Sequence, residues 1–86
     1  MEYLISQHAL KQMEFRGISS EIVDDVLSAP DQKIEQENLI VFQSIISDMP
    51  DKQFLIRVFV NINKTPPLVV IVYRTSKIEK YHEGKI

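Results

Sequence analysis

Two spacings divide the chain. Up to Pro30, apolar residues recur every third or fourth position, the spacing of a helix face. Beyond it they alternate or run together, as strands do. Ser6 suits the N-cap of a first helix through QHALKQMEF, and Gly17 suits its left-handed end. Ile5, Ala9 and Met13 form the expected buried stripe, with His8, Gln12 and Arg16 in a parallel row beside it. A second helix begins at Ser19 or Ser20. Glu21, Asp24 and Asp25 crowd its early turns, where the helix dipole favours negative charge. Ile22, Val23, Val26 and Leu27 are its apolar face, and Pro30 ends it. So short a link between the helices predicts a tight helical hairpin.

The later segments read as four strands. QKIEQE (32–37) is a polar edge strand, with Asn38 serving a turn into LIVFQSII (39–46). SDMPD (47–51) is a turn cluster. QFLIRVFV (53–60) and LVVIVYRT (68–75) are apolar on both faces, which predicts central or covered strands joined by NKTPP. Val58, Val70 and Val72 are expected to be almost fully buried. Ser76 suits the cap of a short C-terminal helix, KIEKYHEG. The expectation is one α+β domain over residues 1–86: two N-terminal helices packed on a curled four-stranded antiparallel sheet, then the short helix.

Composition narrows the function classes. There is no cysteine, hence no disulfide and no thiolate metal site, which fits a reducing cytoplasm. MEYLISQHAL lacks the basic and then apolar stretch of a signal peptide, and no apolar run is long enough to span a membrane. Net charge is −2 but uneven. Residues 1–54 hold four basic and ten acidic side chains, and residues 55–86 hold six basic and two acidic. The overall charge argues against general nucleic-acid binding, while the basic second half permits a local anion-binding surface. The two glycines, Gly17 and Gly84, leave no phosphate loop, and no His, Cys or acid cluster has metal-ligand spacing.

A few residues stand out. Arg57 interrupts an apolar strand on the same face as Leu55 and Phe59, so it must reach solvent, an acid or an anion. The blander account is a snorkelling or salt-bridged arginine, with Glu14 or Asp25 as its acid. The histidines are His8 and His82. His8 is the one group of the first half whose normal pKa suits proton transfer near neutrality, although a boundary histidine on an amphipathic helix is the commoner case. YRTSKIEKYH gathers Tyr73, Arg74, Lys77, Lys80 and Tyr81, which also suits a strand end followed by a solvated helix.

HALKQMEFRGIS, a short helix ending in SAP, strands, and then VVIVYRTSKIEKY together resemble domain-of-unknown-function family 4258 over nearly the whole chain. The family pattern resembles His-Ala, Arg-Met, Arg-Gly-Ile, and later a Val-rich run into Tyr-Arg and a Lys-Tyr pair. Gln12 departs from it, standing where the family often has arginine before methionine. The resemblance implies a RelE-like or barnase-like fold, similar to RelE-type and BrnT-type toxins, and metal-independent RNA cleavage by 2′-OH attack. It implies His8 as base or acid, Arg57 and Arg74 as a phosphate clamp, and Arg16, Lys77 and Lys80 as further substrate contacts. Tyr73 or Tyr81 would donate a proton or stack on a base. The implied partners are RNA and a cognate antitoxin, with no cofactor, no metal and no membrane; a homodimer stays open. The competing expectation is a non-catalytic binding or regulatory module, a degenerate toxin, favoured by Gln12 and the acidic first half.

Overall fold

The computed structural model describes residues 1–49 and 52–81, with the side chains of Asp48 and Met49 left undescribed. Both helices form where the caps place them. Ser6 Oγ accepts from the Ala9 N–H at 3.1 Å and opens α1 (Gln7–Arg16). Gly17 closes it at φ 67°, a conformation that costs a residue with a Cβ but not glycine. Ser19 Oγ accepts from the Ile22 N–H at 3.1 Å and opens α2 (Ser20–Ser28).

The sheet has five strands rather than four: β1 (Leu4–Ile5), β2 (Gln32–Gln36), β3 (Leu39–Met49), β4 (Lys52–Asn61) and β5 (Leu68–Thr75), in the order β1-β5-β4-β3-β2. β1 runs parallel to β5, pairing Leu4 with Leu68 and Ile5 with Val69, and the other neighbours are antiparallel. Two residues carry no periodicity, so β1 leaves no sequence signal. β3 continues to Met49, through the first half of the expected turn. Pro50 and Asp51 lie outside the described residues. The C-terminal helix α3 spans Ile78–Tyr81. The remainder of the expected KIEKYHEG helix, with His82, lies outside the described residues.

α1 packs on β5 and α2 on β3 and β4, all on one face of the sheet. There Ala9, Met13, Val23, Val26 and Leu27 meet Phe42, Ile56, Val58, Val60, Val69 and Val72 in one buried core. Val58 and Val72 are fully buried, but Val70 is only half-buried. A bulge explains the difference: Phe59 pairs with Ile71 and Val60 with Val69, so Val70 is the extra residue. The bulge moves the inward positions of β5 from a spacing of two to the pair Val69 and Val72.

Beyond the end of β1 the outer edge of β5 is closed by side chains. Ser6 Oγ donates to the Val70 carbonyl at 3.5 Å, and Gln12 Oε1 accepts from the Val72 N–H at 2.9 Å. Gln12 therefore satisfies a strand N–H that a longer β1 would have taken.

Candidate functional site

The face of the sheet away from α1 and α2 carries the polar chemistry. Register aligns four residues across four strands: Gln32 with Gln43, Gln43 with Arg57, and Arg57 with Tyr73. Side chains of paired residues stand on the same face, about 4.5–5.5 Å apart at Cβ. Here they make a chain of hydrogen bonds. Gln43 Nε2 donates to Gln32 Oε1 at 2.8 Å, Arg57 Nε donates to Gln43 Oε1 at 2.8 Å, and Arg57 Nη1 donates to the Tyr73 hydroxyl at 2.8 Å. Gln43 also donates to the Tyr81 carbonyl at 3.1 Å, which ties α3 to the sheet.

Arg57 is 7% exposed and Gln43 is fully buried. Burying a guanidinium is costly unless it is paired or otherwise compensated. Among the described residues no carboxylate pairs with it, contrary to the expectation of Glu14, Asp25 or a solvent-reaching side chain. Neutral oxygens and aromatic faces compensate it instead. Its Cζ lies 4.7 Å from the Tyr81 ring centre, 5.2 Å from that of Phe59 and 5.8 Å from that of Tyr73, within the range of cation–π attraction. Tyr73 in turn stacks on Phe59 at 6.0 Å and meets the edge of Tyr81 at 6.3 Å. Two of the five guanidinium N–H groups are used by Gln43 and Tyr73. The Tyr73 hydroxyl accepts from Arg57, so its own proton remains available for donation.

The expected site residues divide into two groups. Arg57, Tyr73 and Tyr81 come together, and Lys80 joins their rim with its Nζ 5.3 Å from the Tyr81 ring. Lys77 is exposed just ahead of α3. His8 and Arg16 are exposed on α1, the layer covering the opposite face of the sheet, so they do not join Arg57. Arg74 is also separated. It pairs with Ile56, follows Tyr73 and therefore points to the other face, where it packs on the Phe54 ring at 4.9 Å. The anticipated Arg57–Arg74 clamp is not formed, because neighbouring residues of one strand face opposite ways.

Gln43 was missed as a site residue, although its signal was present. It is the one amide in LIVFQSII, just as Arg57 is the one charge in QFLIRVFV. Two polar interruptions in adjacent apolar strands are a reason to test whether they pair. Among the described residues, no group of three or more His, Asp or Glu side chains is placed to hold a metal ion. No helix there is long and apolar enough to cross a membrane.

The chain matches the family described as Domain of unknown function (DUF4258) over residues 5–78, and it belongs to that family. Neither the curated proteins nor the solved structures include a match to it.

Proposed function

We propose that this member of the family acts on RNA as a metal-independent ribonuclease of toxin–antitoxin type, working from the sheet face that carries Arg57. The supporting observation is a buried guanidinium without an acid partner, enclosed by Tyr73, Tyr81 and Phe59, with exposed Lys77 and Lys80 on the segment beside it. A cation in an aromatic, low-dielectric setting holds a phosphodiester oxygen more firmly than one in water. The half-buried rings of Tyr73 and Tyr81 would offer their accessible parts to bases, and the lysines would track the backbone.

In the proposed reaction the ribose 2′-oxygen attacks the adjacent phosphorus and the bond to the 5′-oxygen breaks, leaving a cyclic phosphate and a 5′-hydroxyl. Arg57 would take the equatorial oxygens. The Tyr73 hydroxyl would give its proton to the leaving 5′-oxygen, and the 2′-OH proton would pass to water. His8, in the layer on the other side of the sheet, is not placed to take that proton, and a proton from solvent restores the Tyr73 hydroxyl. In a toxin pair, an acidic antitoxin segment would cover the basic C-terminal half.

One observation favours the second reading, a non-catalytic binding or regulatory module: His8 lies in the other layer from Arg57. RNA binding and cleavage in excess EDTA, on wild type, Tyr73→Phe and His8→Gln, separate the two readings. The ribonuclease reading expects cleavage that survives the chelator, falls about 10²-fold in Tyr73→Phe and changes less than about twofold in His8→Gln. Binding without cleavage supports the module, and absence of both removes RNA as the partner.

A further inference from the structure

The edge of the sheet at β2 is self-complementary. β2 and β3 are joined by a two-residue hairpin loop, with Glu37 at φ 57°. Such a loop closes on a hydrogen-bonded pair, here Gln36 with Leu39. Alternation then turns the main-chain N–H and C=O groups of Glu35 and Lys33 away from β3, toward the sheet edge that no other described strand pairs with. Both side chains are exposed, and they stand on one face of the strand with half-buried Ile34 on the other.

We propose that β2 pairs antiparallel with β2 of a second copy of this chain, about a two-fold axis at Ile34. In that register Lys33 lies opposite Glu35 of the second copy, and Glu35 opposite its Lys33. Each of these pairs exchanges two main-chain hydrogen bonds, because both residues present their backbone groups outward. Ile34 meets Ile34 on the opposite face. Charge selects the register. Centring the pair on Lys33 sets lysine against lysine, and centring it on Glu35 sets glutamate against glutamate, both unfavourable. A slip by one residue would face inward-turned backbone against outward-turned and reverse the side-chain faces.

An edge lysine ordinarily discourages strand addition. Here the glutamate two positions on turns it into a lock for one partner, the same strand. An apolar feature lies along the same seam. Lys33, Glu35, Ile40, Phe42 and Ile62 line a shallow groove, with Lys33 Nζ 5.3 Å from the Phe42 ring and Ile62 50% exposed. The two charges that pair across the axis are also the rim of this groove, so a second copy covers it from the edge. Pairing of this kind joins two five-stranded sheets into one and leaves both Arg57 faces on the same side. It does not depend on what Arg57 binds.

The test is sedimentation equilibrium of the full chain over a range of concentrations. Wild type should show a monomer–dimer equilibrium below about 1 mM. Lys33→Glu and Glu35→Lys should each weaken dimerisation by about tenfold or more, since each replaces two attractive cross-strand pairs by two repulsive ones. The double variant, Lys33→Glu with Glu35→Lys, should return to within about threefold of wild type, because it restores opposite charges in the same register. Circular dichroism melts keep loss of pairing distinct from loss of fold. A wild type that stays monomeric, single variants that dimerise as wild type does, or a double variant no better than the singles would overturn the proposal.

Discussion

On the side covered by α1 and α2, β4 presents Ile56, Val58 and Val60; on the other side the same strand presents Leu55, Arg57 and Phe59. All six are buried, but by different means. The first face is closed by non-directional apolar contact, which depends on area and volume. The second is closed by directed contacts, in which Arg57 holds Gln43 and Tyr73, and Gln43 holds the backbone of Tyr81. Apolar packing forgives a change of shape of similar volume. A polar chain of this kind loses several partners when one member is removed. The comparison can be broken by substitutions that affect one face and spare the other.

The largest effect should come from Arg57→Ala. It opens a void beneath Tyr81 and leaves the Gln43 amide and the Tyr73 hydroxyl without their partner. The expected cost is roughly 2–4 kcal/mol in urea denaturation. Arg57→Met should recover only part of that, staying about 1–2 kcal/mol below wild type, since it refills the volume but still leaves the buried Gln43 Oε1 without its donor. If alanine and methionine cost the same, the directed contacts rather than the volume hold this face. An alanine variant as stable as wild type would show that Arg57 is not packed at all. Since a purely structural arginine predicts the same loss, Tyr73→Phe is the cleaner probe of function.

On the apolar face, Val58→Ala and Val72→Ala should each cost about 1–3 kcal/mol, as deletions of methyls from a filled core do. Val70→Ala should cost less than about 1 kcal/mol, because the bulge leaves Val70 only half-buried. Equal losses at the three positions would mean that the bulge does not set the inward residues of β5. Smaller still is Gln12→Ala, at about 0.5 kcal/mol, since one strand N–H loses its acceptor at a partly exposed edge. An unchanged denaturation midpoint would mean that water replaces Gln12 without loss.

The two faces were not equally legible in the sequence. Ser6, Gly17 and Ser19 mark the helix ends by local chemistry, and the apolar runs mark β3, β4 and β5. Such signals depend on neighbours a few positions apart. β1 is too short to have one and exists only because Leu68 and Val69 lie beside it. The bulge at Val70 likewise follows from how β4 and β5 fit together, so Val72 is buried as expected while Val70 is only half-buried. The candidate site followed the same rule. Arg57 was conspicuous, but its partner depended on register: one residue of slip would have brought Arg74 beside it in place of Tyr73. Gln43 had a signal as the one amide of its strand, but its pairing with Arg57 follows only from the register of β3 and β4. His8 and Arg57 stand out as chemical groups, yet helix packing puts them on opposite sides of the sheet.

The smallest effect concerns the rim of the apolar face, where a polar tie exists as well. The Tyr3 hydroxyl donates to Asp24 Oδ1 at 3.2 Å, linking the segment before β1 to α2. Burial raises the Tyr3 pKa above its ordinary value of 10.0, and the hydrogen bond to Asp24 and the negative charge of that carboxylate raise it further. The folded protein therefore holds this proton more tightly than the unfolded chain. Linkage makes the resulting stabilisation fully present below the unfolded value near 10.0, and it is lost as pH rises through the folded value. Tyr3→Phe removes the titration. Its melting temperature should lie slightly below that of wild type at pH 7, and the gap should close as pH rises above about 10. Thermal melts of the two proteins in parallel cancel every other pH effect that both share. A gap that stays constant from neutral to alkaline pH would show that the Tyr3 ring contributes by packing alone. The polar tie would then play no part in closing this face, and apolar contact alone would close it.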